Sequence, residues 1–217
     1  MKSEKLNIGG YQGLPVPNTF FRQENPDNTH LAIVFPGLNY SSKMPGLYYP
    51  WQLMRSKGAD VLLVEYQYNT SEFQSLPSNI QDEWIKTDAE AVYKIGSALR
   101  DYTQITLIGK SIGTLALGHL LESQSDLRSA NWVWLTPILT NKPLLKQLLA
   151  IPHRGLFVIG TADRYYDPAV LAQLEWSGGS QSLVLPGADH GFEIPGKPLE
   201  SLRLLQRMVE ELNEFIA

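Results

Sequence analysis

A serine lies between two glycines in the stretch "LIGKSIG", residues 107–113. The pattern Gly109-x-Ser111-x-Gly113 is typical of a nucleophilic serine on a sharp turn, where glycines keep side chains out of crowded backbone. The same letters contain Gly-Lys-Ser, which ends a phosphate-binding loop. The two interpretations predict different chemistry, namely attack on an acyl carbon or binding of a nucleotide.

The residues on either side of the motif distinguish these interpretations. A phosphate loop needs a glycine five positions before the glycine of Gly-Lys-Ser, and that position is Gln104. The residues between, "ITLI", predict a strand and not a loop whose amides surround a phosphate. The following "IGTLALGHLLE" predicts a helix. This strand–turn–helix context favours a nucleophilic Ser111; the alternative is a serine that only caps the helix.

A serine hydroxyl needs a base that removes its proton and a third group that orients the base. His190 is the candidate base, because it lies in the loop "PGADHGFEIPG" between the last predicted strand and the final predicted helix. The other histidines lie at predicted strand ends or within a predicted helix, and we interpret them as structural: His30, His119 and His153.

Three aspartates are candidates for the third group. Asp163 directly follows a predicted strand in "FVIGTADRYYD" and is the preferred one; its alternative role is a turn or helix cap. Asp167 is the reserve candidate. Asp189 adjoins His190 in sequence, so its side chain is expected to point elsewhere. The sequence therefore predicts a catalytic set of Ser111, His190 and Asp163.

Short apolar runs alternate with helical patterns along the chain. The predicted strands are 30–37, 59–66, 104–110, 131–137, 155–161 and 181–187, and the predicted helices are 47–57, 80–100, 112–123, 142–150, 168–175 and 198–216. This alternation predicts an α/β fold with a mostly parallel sheet and helices on both faces. Residues 5–23 predict an antiparallel hairpin at the sheet edge. No linker or repeat appears, so residues 1–217 are expected to form one domain.

Four segments of the chain, "FPG", "GKSIG", "GTADRYYD" and "GADHGF", resemble those of the α/β-hydrolase superfamily in content and order. The resemblance extends over nearly the whole chain, and the Gly-Lys-Ser-x-Gly turn is similar to that of small hydrolases near the dienelactone-hydrolase branch. It implies that Ser111 is the nucleophile, His190 the general base and Asp163 the residue that orients it.

The same resemblance implies an oxyanion hole made of two backbone amides. One belongs to Ile112, directly after the nucleophile, and the other to Leu38, with Asn39 as the alternative. The chain departs from the family at Phe35-Pro36-Gly37, where many members have His-Gly. Backbone donation survives this difference, whereas any role of that histidine is lost.

The candidate substrate-binding residues lie near these elements: Asn39, Tyr40, Lys110, Tyr165 and Phe192. Further rings in the loops 39–50 and 67–79, and Tyr166, are also candidates to line a cleft, with ordinary packing as the alternative. Lys110 could steer an anionic substrate, but an ion pair is the favoured interpretation. Residues 138–154 have room for one helix only, so we expect no inserted cap domain and an open cleft.

Composition narrows the function further. Hydrophobic residues make up 43% and charged residues 18% of 217 residues, as in ordinary globular proteins. The net charge of −4 and the lack of a basic cluster argue against nucleic-acid binding. No apolar run is long enough to span a bilayer, and there is no cysteine.

We therefore expect a cytoplasmic esterase acting on a small-molecule ester, without cofactor or metal; the oligomeric state stays open. The alternatives are a thioesterase, amidase or acyltransferase with the same residues, or a non-catalytic binding protein.

Overall fold

A computed structural model describes residues 2–66, 68–176 and 179–217 of the chain. Within them, the strands are β1 (Lys2–Glu4), β2 (Asn18–Arg22), β3 (His30–Phe35), β4 (Asp60–Val64), β5 (Gln104–Lys110), β6 (Asn131–Leu135), β7 (Gly155–Gly160) and β8 (Gln181–Leu185). They form one sheet in the order β1-β2-β4-β3-β5-β6-β7-β8. From β4 to β8 all neighbours are parallel, whereas β2 is antiparallel to both β1 and β4.

The helices pack on both faces of this sheet. They are α1 (Pro45–Ser56), α2 (Ser71–Gln74), α3 (Ser78–Ser97), α4 (Ile112–Ser123), α5 (Lys142–Ala150), α6 (Pro168–Trp176) and α7 (Pro198–Phe215). Helices α3 to α6 bury their apolar side chains in one core, and α1 and α7 bury theirs in another. The central strands β3, β4, β6 and β7 are buried along their whole length, and all but their first residues are almost entirely apolar, because both of their faces are covered.

The predicted α/β architecture is confirmed, and the strands differ from their predicted bounds by only a few residues. The hairpin predicted for residues 5–23 is found only in part: the segment contains β2, but its antiparallel edge partner β1 precedes the segment, and within it Gly9 and Pro15 form an isolated antiparallel bridge. Helix α1 matches the predicted helix 47–57 but begins two residues earlier, with Pro45, a residue suited to the first helical turn. Helix α2 was not predicted; it lies inside the loop 67–79, of which residue 67 is outside the described residues.

The connection between β6 and β7 decides whether a cap covers the sheet. It contains the single helix α5, of nine residues, with short turns on either side. The predicted absence of an inserted cap is therefore confirmed. Among the described residues, no helix combines the length and the apolar character needed to cross a membrane.

Candidate active site

The predicted nucleophile lies on the turn between β5 and α4. Ser111 has φ 52° and ψ −117°, a backbone conformation that costs a non-glycine residue about 1–3 kcal/mol. Both flanking glycines are required sterically. A Cβ on Gly109 would lie 2.7 Å from the carbonyl oxygen of Gly113, and a Cβ on Gly113 would lie 2.8 Å from the carbonyl carbon of Phe35. The glycine spacing thus allows the turn that presents Ser111.

Ser111, His190 and Asp163 form a continuous hydrogen-bonded series. Nε2 of His190 lies 2.8 Å from Oγ of Ser111, and Nδ1 of His190 lies 2.8 Å from Oδ2 of Asp163. The side chain of Asp163 is fully buried, and that of His190 is about a quarter exposed. With the Nδ1 proton donated to the carboxylate, Nε2 is left to accept the hydroxyl proton of Ser111.

The other two aspartates make unrelated contacts. Oδ1 of Asp189 accepts the amides of Gly191 and Glu193, so its side chain points away from the imidazole and closes the turn that carries His190. Oδ1 of Asp167 accepts two amides in the first turn of α6. The structure therefore brings only Asp163 of the three candidates to His190.

The other three histidines, all within the described residues, make no hydrogen bond to this series. Each has a partner elsewhere in the fold: His30 contacts Thr106, His119 contacts Asp82, and His153 contacts the carbonyl oxygen of Ile151. Burial lowers the pKa of His30 to about 4, which keeps this ring neutral at physiological pH.

The loop after β3 runs beside the nucleophile. A Cβ on Gly37 would lie 3.5 Å from Cβ of Ser111. The Gly37 amide donates to the Tyr40 carbonyl at 3.0 Å, which closes a turn and leaves Leu38 at its tip. Within the part of the chain that the structure describes, the amides of Leu38 and Ile112 have no backbone acceptor. Ile112 is also the first residue of α4, where the helix dipole favours negative charge.

A cavity of about 460 Å³ lies between the loop after β3 and the end of β4. Gly37 lies beside Ser111 and also lines this cavity, together with Asn39 and Tyr40. The side-chain oxygen of Asn39 accepts from Asn69 at 3.0 Å. The Tyr40 hydroxyl accepts from the amide of Gly46, and burial raises its pKa to about 12.

Tyr66 also lines the cavity and was not predicted as a site residue. Its hydroxyl donates to the carbonyl oxygen of Pro36, and its ring stacks on Tyr68 at 4.0 Å. The signal that could have identified Tyr66 was its place at the end of the predicted strand 59–66, at the carboxyl edge where parallel sheets bind ligands.

Two predicted substrate-binding residues are placed differently from the expectation. The Phe192 side chain is fully buried and packs against Lys110, so it does not line a cleft. Lys110 is 1% exposed, so its ammonium cannot contact an anionic substrate in the cleft. Its favoured alternative, an ion pair, is also wrong, because no described carboxylate lies within 4.0 Å of its ammonium.

Lys110 instead donates to uncharged oxygens. Its Nζ lies 2.9 Å from Oγ1 of Thr136 and 2.6 Å from the carbonyl oxygen of His190. Burial lowers the pKa of Lys110 to about 7, although the negative charges of Asp163 and Asp189 act in the opposite direction.

One of the aromatic candidates contacts His190, whereas others are buried in the cores or exposed on α1. Tyr165 contacts the base edge-on, with its ring 5.3 Å from that of His190. The rings that are buried in the cores are Trp51, Tyr68 and Phe73, and those exposed on α1 are Tyr48 and Tyr49. Only Tyr165 of these rings touches the series of Ser111, His190 and Asp163.

Neither a family model nor a curated protein sequence matches the chain. Solved structures do match. A lidless α/β serine hydrolase from Xanthomonas campestris is 19% identical, with TM-score 0.72 and coverage of 99% of this chain and 94% of that one. Est1E from Butyrivibrio proteoclasticus is 14% identical, with TM-score 0.72 and coverage of 98% and 97%. An esterase from Pyrococcus furiosus is 12% identical, with TM-score 0.71 and coverage of 100% and 94%.

These similarities define the class by its fold. The chain has the α/β-hydrolase fold, as the four sequence segments indicated, and it has the form without a cap. At such low identity the likeness concerns the fold alone, so the activity must be argued from the site.

Proposed function

We propose that the protein is a serine hydrolase that cleaves a carboxylic ester on a small soluble substrate, within the single domain 1–217. The observation that carries the proposal is the hydrogen-bonded series from Ser111 through His190 to the buried Asp163, with 2.8 Å at both steps. This is the arrangement in which a serine hydroxyl can be deprotonated as it attacks an acyl carbon.

The first half-reaction acylates the serine. Oγ of Ser111 attacks the ester carbonyl carbon while Nε2 of His190 takes the hydroxyl proton. The resulting imidazolium is stabilised by the Asp163 carboxylate. The amides of Leu38 and Ile112 donate to the carbonyl oxygen as it becomes negative. His190 then gives its proton to the alkoxide oxygen, and the alcohol leaves with an acyl-enzyme behind it.

The second half-reaction returns the free enzyme. A water molecule attacks the acyl carbon while His190 takes one of its protons, and the amides of Leu38 and Ile112 again hold the oxyanion. The bond to Oγ of Ser111 breaks, the proton of His190 passes to that oxygen, and the carboxylic acid leaves.

The form of the site favours small substrates. No cap covers the carboxyl edge of the sheet, and the adjoining cavity of about 460 Å³ is bounded by polar as well as apolar side chains. We therefore expect faster turnover of soluble short-chain esters than of emulsified long-chain triglyceride. Est1E has been solved with ferulic acid bound, so an aromatic feruloyl ester belongs in the substrate panel.

Labelling with a fluorophosphonate tests the mechanism. The wild type should be labelled and Ser111→Ala should not. Ser123→Ala, which removes an exposed serine at the other end of α4, is the matched control and should be labelled normally. Failure of the intact, folded wild type to take any label would contradict the covalent mechanism.

The same three residues could act on a thioester or an amide, or transfer the acyl group to another acceptor, and the fold does not choose among these. A panel of matched ester, thioester and anilide substrates decides the bond that is cleaved. Ester hydrolysis that is lost in Ser111→Ala would exclude a purely binding function.

A further inference from the structure

Lys110 is a buried cation whose position is not explained by the proposed reaction. It is among the largest fully buried side chains of the protein, and no described carboxylate pairs with it. Removing an ammonium group from water without a counter-charge in contact is unfavourable, and an apolar side chain of similar length would fill the same space without that cost. A function that needs the ammonium would account for the lysine.

The contacts of Lys110 join three loops at the carboxyl edge of the sheet. Nζ donates to Oγ1 of Thr136, directly after β6, and to the carbonyl oxygen of His190, in the loop after β8. It also lies over the ring of Tyr40, at 4.3 Å, and over that of Phe192, at 5.0 Å. Tyr40 belongs to the loop after β3, so the ammonium is enclosed by two π-faces and two oxygens.

Backbone strain is concentrated around this ammonium. Among the described residues, four that are not glycine have positive φ: Gln12, Ser111, Thr136 and Phe192. Ser111 is the chain neighbour of Lys110, and Thr136 and Phe192 contact its ammonium. Such conformations persist only where the surroundings hold them, and they gather at functional sites.

The bond from Lys110 to His190 connects the base to the nucleophile along a short path. Lys110 is the last residue of β5 and directly precedes Ser111, whereas His190 lies 80 positions further along the chain than Lys110. The backbone of the base is thereby tied to the residue adjacent to the nucleophile. Asp189 orders the turn around His190 internally but does not link it to β5.

We propose that Lys110 is a positioning residue, whose ammonium holds the backbone of His190 against the nucleophile turn so that Nε2 remains within hydrogen-bonding distance of Ser111. This inference rests on the proposed function for its kinetic consequences, but not for its structural one. Lys110 touches neither the substrate nor the reacting atoms, and it acts through His190.

The first test is Lys110→Met, which keeps the length of the side chain and removes the ammonium. A displacement of about 1 Å at the reacting atoms lowers turnover by about 100-fold, so we expect kcat to fall by about that factor with KM changed less than about threefold. The melting temperature should stay equal or rise, because the unpaired charge is gone. Lys86→Met, on the exposed side of α3, is the control and should retain wild-type kcat.

Thr136 provides a second pair of variants that keeps the proposal testable if Lys110→Met does not fold. Thr136→Val removes the acceptor of the ammonium with little change of shape, whereas Thr136→Ser retains it. We expect Thr136→Val to lose kcat and Thr136→Ser to retain it. Equal activity of these two variants would count against the proposal.

A measurement that needs no substrate separates this inference from the proposed function. The proton on Nδ1 of His190, which is bonded to Asp163, should give a low-field NMR resonance in the wild type and in Lys86→Met, and that resonance should broaden or disappear in Lys110→Met. If the wild type takes no fluorophosphonate, the proposed function fails while this measurement still judges the positioning role. An unchanged resonance together with unchanged kcat in Lys110→Met would overturn it.

Discussion

The buried carboxylate of Asp163 holds the imidazole of His190 from behind, through a contact of 2.8 Å between Oδ2 and Nδ1. The other oxygen of the carboxylate accepts the amide of Tyr165 at 3.0 Å, which fixes the plane of the acid. Because Nδ1 must carry the proton to donate here, the ring presents its free nitrogen to Ser111. This pair determines both the direction and the tautomer of the base.

Asp163→Asn should abolish most of the activity without unfolding the protein. The amide preserves the shape of the acid but favours the wrong tautomer of His190, so kcat should fall by about 10⁴-fold. Steady-state ester hydrolysis measures this. Asp167→Asn is the matched control, because asparagine caps a helix as well as aspartate does, and it should leave kcat unchanged. Similar losses in both variants would remove Asp163 from the catalytic role.

Replacing Ser111 should reveal the strain of its turn. With φ at 52° and ψ at −117°, the position suits glycine, so Ser111→Gly should be more stable to urea than Ser111→Ala by about 1 kcal/mol or more. Both variants lack the nucleophile, so the comparison isolates the backbone. Lys94→Gly and Lys94→Ala, in the exposed interior of α3, form the control pair and should show the opposite order. If the alanine variant were more stable than the glycine variant at position 111 as well as at position 94, the turn would not be strained.

Gly113→Ala should destabilise the protein although the residue lies in a helix. Alanine normally stabilises a helix by about 1 kcal/mol relative to glycine. Here its Cβ would meet the backbone carbonyl of Phe35, so a net loss of about 1–3 kcal/mol is expected in chemical denaturation. At Gly9 the nearest atom to an added Cβ is 3.9 Å away, so Gly9→Ala should show no comparable loss. A Gly113→Ala protein as stable as the wild type would contradict the close approach of α4 to β3.

The burial of Lys110 should appear as a dependence of stability on pH. Its pKa is about 7 in the folded protein and has the ordinary value of 10.5 when unfolded. Between these values the unfolded chain holds a proton that the folded chain has released, so the contribution of Lys110 to the free energy of unfolding rises with pH. The contribution of this group approaches about 1.4 kcal/mol per pH unit within that window.

Lys110→Met removes the titrating amine. Any gain in the free energy of unfolding of this variant over the wild type should therefore be largest at pH 6 and should shrink towards pH 9. Urea unfolding of both proteins at several pH values measures the difference, in which other titrating groups cancel. The exposed Lys86→Met should show a difference from the wild type that does not change with pH. A pH-independent difference for Lys110→Met would mean that its ammonium is not desolvated.

Local patterns were sufficient for most secondary structure and for the nucleophile turn. After their first residues, β3 and β6 are apolar because they are covered on both faces, and this composition is visible in the sequence. Helix α2 inside the loop 67–79 was not predicted, since its four residues are too few to show a helical period.

The direction in which individual side chains point could not be predicted from the sequence. Lys110 and Phe192 lie next to Ser111 and His190 along the chain, which suggested contact with a substrate. Instead, both point inward, where they pack against each other. Phe192 has a positive φ of 67°, which a local sequence pattern does not predict. Such a conformation persists only where contacts distant in sequence hold it.

By itself, the sequence determined the alternation of strands and helices, the glycines that permit the turn at Ser111, and the placement of the candidate residues after strands. These properties depend on neighbouring residues. Only the tertiary structure decided that Asp163 and not Asp189 reaches His190, and that Lys110 donates to the carbonyl oxygen of His190. Those relationships join residues 27 and 80 positions apart, and they exist only because the strands that carry them pair side by side in one sheet.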